Sequence, residues 1–197
     1  MFSPWIGTHY GKPDSILSGT RLMILGESHY TSNDDAVGRT DPEDTTRNVE
    51  DWAIEKGYKF YTKLSHLVTG IRREDWSFDE NRRFWHSVVF YNYIPTYLKK
   101  SKRPNAKIWR SGIAPLQLVL EDVRPEVVLV CGLDLWWYAM KAQPGGVALN
   151  PPGGDTGAVG TGLGVRIPHP TGSRGVGGYT YERYRPLLEQ ALAEARV

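Results

Sequence analysis

The chain has 197 residues, with 24 Lys and Arg against 22 Asp and Glu, a net charge of +2 at neutral pH. That length suits one domain, residues 1–197, able to bury roughly 70% of its unfolded surface, and its 40% hydrophobic and 23% charged residues exclude a disordered chain. The single cysteine, Cys131, excludes an internal disulfide and any four-cysteine zinc or iron–sulfur centre.

Residues 1–20, rich in Gly, Pro and Ser, are expected to be an irregular lead-in. Arg21–Leu25 is an apolar run closed by Gly26 and predicts a buried strand. A polar, Asp-rich loop is expected over Thr31–Thr46. From Arg47 to Val68 the apolar residues Ile54, Tyr58, Tyr61, Leu64 and Val68 recur at helical spacing, with Gly57 as a weak point. Phe78–Trp85 predicts a short helix. Val88–Ile94 is β-branched and aromatic, is closed by Pro95, and predicts a second strand. Ile113–Val123 predicts a helix stopped by Arg124-Pro125. Glu126–Gly132 is the clearest buried strand, and Leu133–Ala142 a helix after it. Residues 143–164 are dense in Gly and Pro and predict an excursion. Gly164–Pro168 is a last strand delivering His169-Pro170, and Tyr181–Arg196 a closing helix, with Thr180 as its expected cap and Pro186 inside it.

Strands separated by helices predict an α/β fold with parallel pairing through right-handed crossovers. Ligands of such sheets bind at the carboxyl ends of the strands. The residues standing there are Gly26, Glu27, Ser28, His29 and Tyr30 after the first strand, Asn92, Gly132, and His169. A carboxylate such as Glu27 can activate water, stabilise a cation or merely cap a loop. The Asn92 amide can read a base edge or pin neighbouring backbone. His169, stiffened by Pro168 and Pro170, can donate to a developing anion.

Charge is unevenly spread along the chain. Residues 71–125 carry 11 basic and 6 acidic residues, a local +5; residues 1–70 carry 7 and 10, a local −3. Lys99, Lys100, Lys102, Arg103, Lys107 and Arg110 form an acid-free stripe that either contacts phosphates or makes a solvated face. Trp109, inside it, either stacks on a base or anchors the loop. Gly26-Glu27-Ser28-His29-Tyr30 approaches the G-x-S-x-G elbow of serine hydrolases but lacks its last glycine. Gly160–Gly164 leads into a strand, the wrong order for a phosphate loop. The five histidines and single cysteine show no metal-ligand spacing. The longest uncharged apolar stretch, 127–133, is too short to span a membrane, and Met1-Phe2-Ser3-Pro4-Trp5 shows no leader pattern, so a cytoplasmic protein with no membrane partner is expected.

Three of these segments occur together, in this order, in a known family. Leu25-Gly26-Glu27-Ser28-His29-Tyr30, Phe90-Tyr91-Asn92-Tyr93-Ile94-Pro95 and Ile167-Pro168-His169-Pro170-Thr171 resemble the three motifs of the uracil-DNA glycosylase superfamily, from about Arg21 onward. The resemblance implies a three-layer α/β/α domain around a central, mainly parallel four-stranded sheet. It implies a monomer that needs no cofactor or metal and excises a deaminated base, uracil or related, from DNA after flipping it out of the stack. Under it, Glu27 and His169 would be catalytic. Gly26, Ser28, His29, Tyr30, Phe60 and Asn92 would bind the base, Tyr30 crowding the position of a thymine methyl and Phe60 stacking. Thr171, Ser173 and Arg174 would enter the duplex, with Lys99, Lys100, Lys102 and Arg103 on its phosphates. The chain departs from the family pattern at His29 (usually proline), at Ser28 (Asp in the best-known version) and at Thr171 (serine), so which residue activates water stays open. A non-catalytic nucleic-acid or nucleotide module on the same fold and a serine hydrolase using Ser28 are the alternatives.

Overall fold

The computed structural model describes residues 1–100, 102–142, 154–172 and 178–196. The four predicted strands form the parallel centre of its sheet: β2 (Leu22–Gly26), β4 (Val89–Asn92), β6 (Val127–Cys131) and β8 (Gly162–Ile167). The sheet nevertheless has six strands, not four, in the order β1-β4-β2-β6-β8-β7. β1 (Trp5–Ile6) lies antiparallel on β4, and β7 (Thr156–Val159) antiparallel on β8. These two edges correct the expectation of an irregular 1–20 and of an excursion through residue 164. Both are short and of mixed burial, so neither carries a strand-like apolar run.

The central strands are buried on both faces, as parallel pairing requires. Successive residues point to opposite sides. Leu22, Ile24, Phe90, Leu129, Val165 and Ile167 pack on one side; Met23, Leu25, Val89, Tyr91, Val128 and Val130 pack on the other. The first side is covered by α2 (Lys59–Thr69), α3 (Phe78–Trp85) and α7 (Tyr181–Glu194), the second by α4 (Ala106–Ser111), α5 (Ile113–Val123) and α6 (Leu133–Ala139). The result is three layers, α/β/α. Each fully buried Leu or Val contributes about 1.5–3 kcal/mol, so the two faces of the sheet hold the architecture.

The helix expected over Arg47–Val68 is divided. α1 (Asp44–Asn48) runs into a wider π-type segment, Val49–Glu55, before the chain turns and α2 begins at Lys59. The turn falls at Gly57, whose φ of +58° is open to glycine and strained for other residues. Asn81 of α3, fully buried, donates Nδ2 to the carbonyls of Ala53 and Ile54 at 3.0 and 3.2 Å, satisfying groups that the ending segment leaves open. Ser77 and Glu80 cap α3 reciprocally. At α7 the expected Thr180 cap makes no side-chain bond, and Pro186 is accommodated in the second turn.

The Asp-rich stretch is more ordered than a plain loop. β3 (Tyr30–Thr31) pairs in parallel with β5 (Leu98–Lys99) in a separate two-stranded sheet, which clamps the first motif to the basic stripe. Trp109 anchors that stripe: it is buried, stacks on Tyr138 at 4.9 Å and 4°, and its carbonyl accepts from Tyr93 Oη at 2.7 Å. Among the described residues no helix is long and apolar enough to cross a membrane.

Candidate active site

β2, β4 and β8 run parallel, so their carboxyl ends emerge together. A cleft of about 610 Å³ opens there, lined by Glu27, Ser28, Tyr30, Phe60, Asn92, Arg103, His169 and Thr171 among others. Register explains the grouping: Gly26 pairs with Asn92 across β2 and β4, and the backbone bonds Tyr93 N to Gly26 O and Ile94 N to Glu27 O, both 2.9 Å, extend that ladder into the loops. Gly26 is required sterically. A Cβ there would overlap Asn92 Oδ1 and press on the Phe90 ring.

Glu27 leaves β2 with its side chain only 10% exposed. Its Oε1 accepts from Tyr30 Oη at 3.1 Å and from Arg103 Nη1 at 2.9 Å. The Tyr30 hydroxyl is raised above the usual phenol range, by burial first and then by Glu27, so it stays a donor. Arg103 also reaches Asp134 at 3.1 Å. It is therefore held over the cleft by two carboxylates, with most of its side chain still exposed. Lys99 is likewise paired, with Asp34 at 2.8 Å. Lys100 and Lys102 are exposed on the same rim.

His169 stands at the cleft mouth with its ring 5.1 Å from that of Phe60 at 30°. Its Nδ1 faces the Thr171 N–H at 3.3 Å and the Thr171 hydroxyl at 3.2 Å. A backbone N–H can only donate, so Nδ1 accepts and Nε2 carries the hydrogen. Desolvation by the cleft walls, then the cations Arg103 and Lys63, hold the imidazole pKa below the ordinary histidine value. Lys63 of α2 donates to the Pro170 carbonyl and ties the two elements together. The expected loop Thr171–Gly175 is described only through Gly172; Ser173 and Arg174 lie outside the described residues.

Of the two residues that follow Glu27, Ser28 lines the cleft and His29 does not. Ser28 Oγ is buried, and no histidine or carboxylate among the described residues partners it, which leaves it without a base to activate it. His29 is buried behind Asn92 rather than in the cleft wall; it faces a second cavity of about 650 Å³ that shares Ser28, Tyr30, Tyr61 and Asn92 with the first. Asp44, which sequence reasoning placed in a plain loop, lies 3.0 Å from His29 Nδ1. Burial opposes its charge, but hydrogen bonds with His29 and Tyr97, together with the charges of His29 and Arg47, outweigh this and hold its carboxyl below the usual range. Asp44 and Asn48 sit at i,i+4 on α1 and are bonded at 2.9 Å, the one local signal that pointed at this cluster.

The His169 environment makes a prediction about titration. By NMR of the ring protons, His169 should titrate below pH 6.5, the ordinary value. Removing a neighbouring cation stabilises the imidazolium, so Arg103→Ala should shift the midpoint upward. A wild-type midpoint above 6.5, or a downward shift in the variant, contradicts the assignment.

No protein-family model matches the chain, and no curated protein matches it.

Proposed function

We propose that this protein hydrolyses the N-glycosidic bond of a deaminated base, uracil or a close relative, swung out of a DNA strand. One observation carries the reading: Glu27, Phe60, Asn92 and His169, from four separate stretches of the chain, line a single cleft. They are the residue types that this reaction requires.

Breaking the bond leaves positive charge on the sugar and sends the bonding electrons to the base. His169, with Nδ1 held by Thr171, presents an Nε2–H to the oxygen of the departing base anion. Glu27 faces the cationic sugar. Tyr30 and Arg103 occupy its Oε1, and Oε2 has no hydrogen bond among the described residues, so it is the oxygen that orients the attacking water. Water delivers its hydroxyl to the sugar carbon, and its proton balances the anionic base. Phe60 offers a ring face to the flipped base, Asn92 its amide to the base edge, and Tyr30 a wall against a larger substituent. Lys100 and Lys102 take the flanking phosphates. This chemistry requires no cofactor.

The test is base release from oligonucleotides carrying a single uracil or hypoxanthine, single- and double-stranded. The expected result is free base and an abasic strand that breaks in hot alkali. Salt-sensitive binding with no base released from any lesion would overturn the reading in favour of a non-catalytic module. Covalent labelling of Ser28 by a fluorophosphonate would overturn it in favour of a serine hydrolase.

A further inference from the structure

Arg103 has two carboxylate partners in different settings. Its Nη1 meets Glu27 Oε1 at 2.9 Å, and the Glu27 side chain is 10% exposed. Its Nη2 meets Asp134 Oδ2 at 3.1 Å, and the Asp134 side chain is 69% exposed. Asp134 has no other ion pair among the described residues. Lys99 repeats the pattern on the same rim: its partner at 2.8 Å, Asp34, is 70% exposed. Two cations of the basic stripe are thus each met by a solvated carboxylate from a distant part of the chain.

The two bonds of Arg103 differ in strength. A pair between exposed groups is worth little, because water and salt replace the lost partner. The Glu27 bond involves a mostly buried carboxylate, where water competes less. Asp134 also stands in the first turn of α6, where the open N–H groups of the helix favour a negative charge, so its charge keeps a favourable field when Arg103 leaves. A phosphodiester offers the guanidinium fork the same singly charged, two-oxygen face as a carboxylate. A strand arriving on this rim also meets the exposed Lys100 and Lys102, an attraction that Asp134 alone does not match.

We infer that Asp134 is a stand-in for a backbone phosphate. It holds the Arg103 fork over the cleft in the free protein and gives way to the phosphate beside the extruded nucleotide, while Nη1 stays on Glu27. This rests on the reading of Glu27 as the group that faces the sugar. The phosphates flanking a nucleotide are bonded to that same sugar, so a side chain touching Glu27 is well placed to reach one of them. Arg103 is then a positioning residue that ties the docked backbone to the carboxylate serving the reaction. Asp134 keeps its guanidinium extended before the strand arrives.

The test is a double-substitution cycle read by the anisotropy of a labelled single-stranded oligothymidine, which carries phosphates and no deaminated base. It is run at about 0.15 M salt, where exposed charges more than about 8 Å apart are screened. Arg103→Gln should weaken binding by about tenfold, the loss of one charge-assisted contact. Asp134→Asn should tighten it by about threefold or more, because the fork is no longer occupied by a charge. In the Arg103→Gln background, Asp134→Asn should change binding by less than about 1.5-fold. Asp134→Glu, which keeps the charge and can still reach the fork, should bind as wild type does. A urea melt checks that each variant is folded. Equal tightening in both backgrounds means a general repulsion between Asp134 and the strand, and overturns the stand-in. Weaker binding by Asp134→Asn makes Asp134 a mere prop for Arg103 and overturns it too, as does a wild type that does not bind the oligonucleotide. Coupled substitutions in a protein that releases no base from DNA overturn the glycosylase reading and leave the stand-in in place; base release with uncoupled substitutions does the reverse.

Discussion

His169→Ala is expected to slow base release by about 10²–10³-fold, the cost of deleting one preorganised donor to a developing anion. The loss should fall on kcat with KM nearly unchanged, because in the proposed reaction the Nε2–H strengthens its bond only as charge builds on the departing base. Stability should change by less than about 0.5 kcal/mol, since the ring is exposed at the cleft mouth. Its only hydrogen bonds among the described residues are local ones, to Thr171 two positions on. Single-turnover kinetics on a uracil-containing oligonucleotide, with a urea melt alongside, measure both quantities. A variant with kcat within threefold of wild type removes His169 from the mechanism.

Gly26→Ala should lower kcat/KM by about 10–100-fold, matching the roughly 1–3 kcal/mol of a two-bond base contact, and should also destabilise the fold by about 1–3 kcal/mol through overpacking. The added methyl meets Asn92 Oδ1 and lies 3.3 Å from the Phe90 ring. β2 cannot retreat, because it is hydrogen-bonded between β4 and β6 in the middle of the sheet. The displaced part is therefore the Asn92 amide, and with it the contact to the base edge in the proposed reaction. The signature is a KM effect larger than the kcat effect, the opposite of His169→Ala. Wild-type kcat/KM in a folded Gly26→Ala protein would show that the position of Asn92 is irrelevant to turnover.

These two positions differ in how visible they were in the chain. His169 stands between two prolines at the end of an apolar run, so its exposure at a strand end was readable from pattern alone. The steric need for Gly26 was not. It depends on β2 lying beside β4 in a register that sets residue 26 opposite residue 92, and nothing local encodes that pairing. The edges of the sheet show the same divide. Met23 to Leu25 and Val127 to Val130 read as strands because both faces are covered and every residue is apolar. Trp5–Ile6 and Thr156–Val159 lack that run, since an edge strand can leave a face to solvent.

The basic stripe shows how folding adds partners that a charge pattern does not reveal. Sequence placed Arg103 in a stripe that either contacts phosphates or makes a solvated face; folding pairs it with Glu27, 76 residues back along the chain, and with Asp134, 31 forward. Lys100 and Lys102 keep the exposure that the pattern predicted.

By itself the sequence determined the class of fold and where its chemistry-bearing residues stand, because burial of apolar runs and strand-end placement are consequences of local pattern. Only the tertiary structure decided what each of those residues faces. Asp44, His29 and Asn92 form one chain of polar contacts across a span of 63 residues, and Glu27 meets Arg103, which lies 76 residues further along the chain. The physical reason is that parallel crossovers carry the chain away and return it beside itself. A side chain's partners are then set by the sheet's register rather than by its neighbours in sequence.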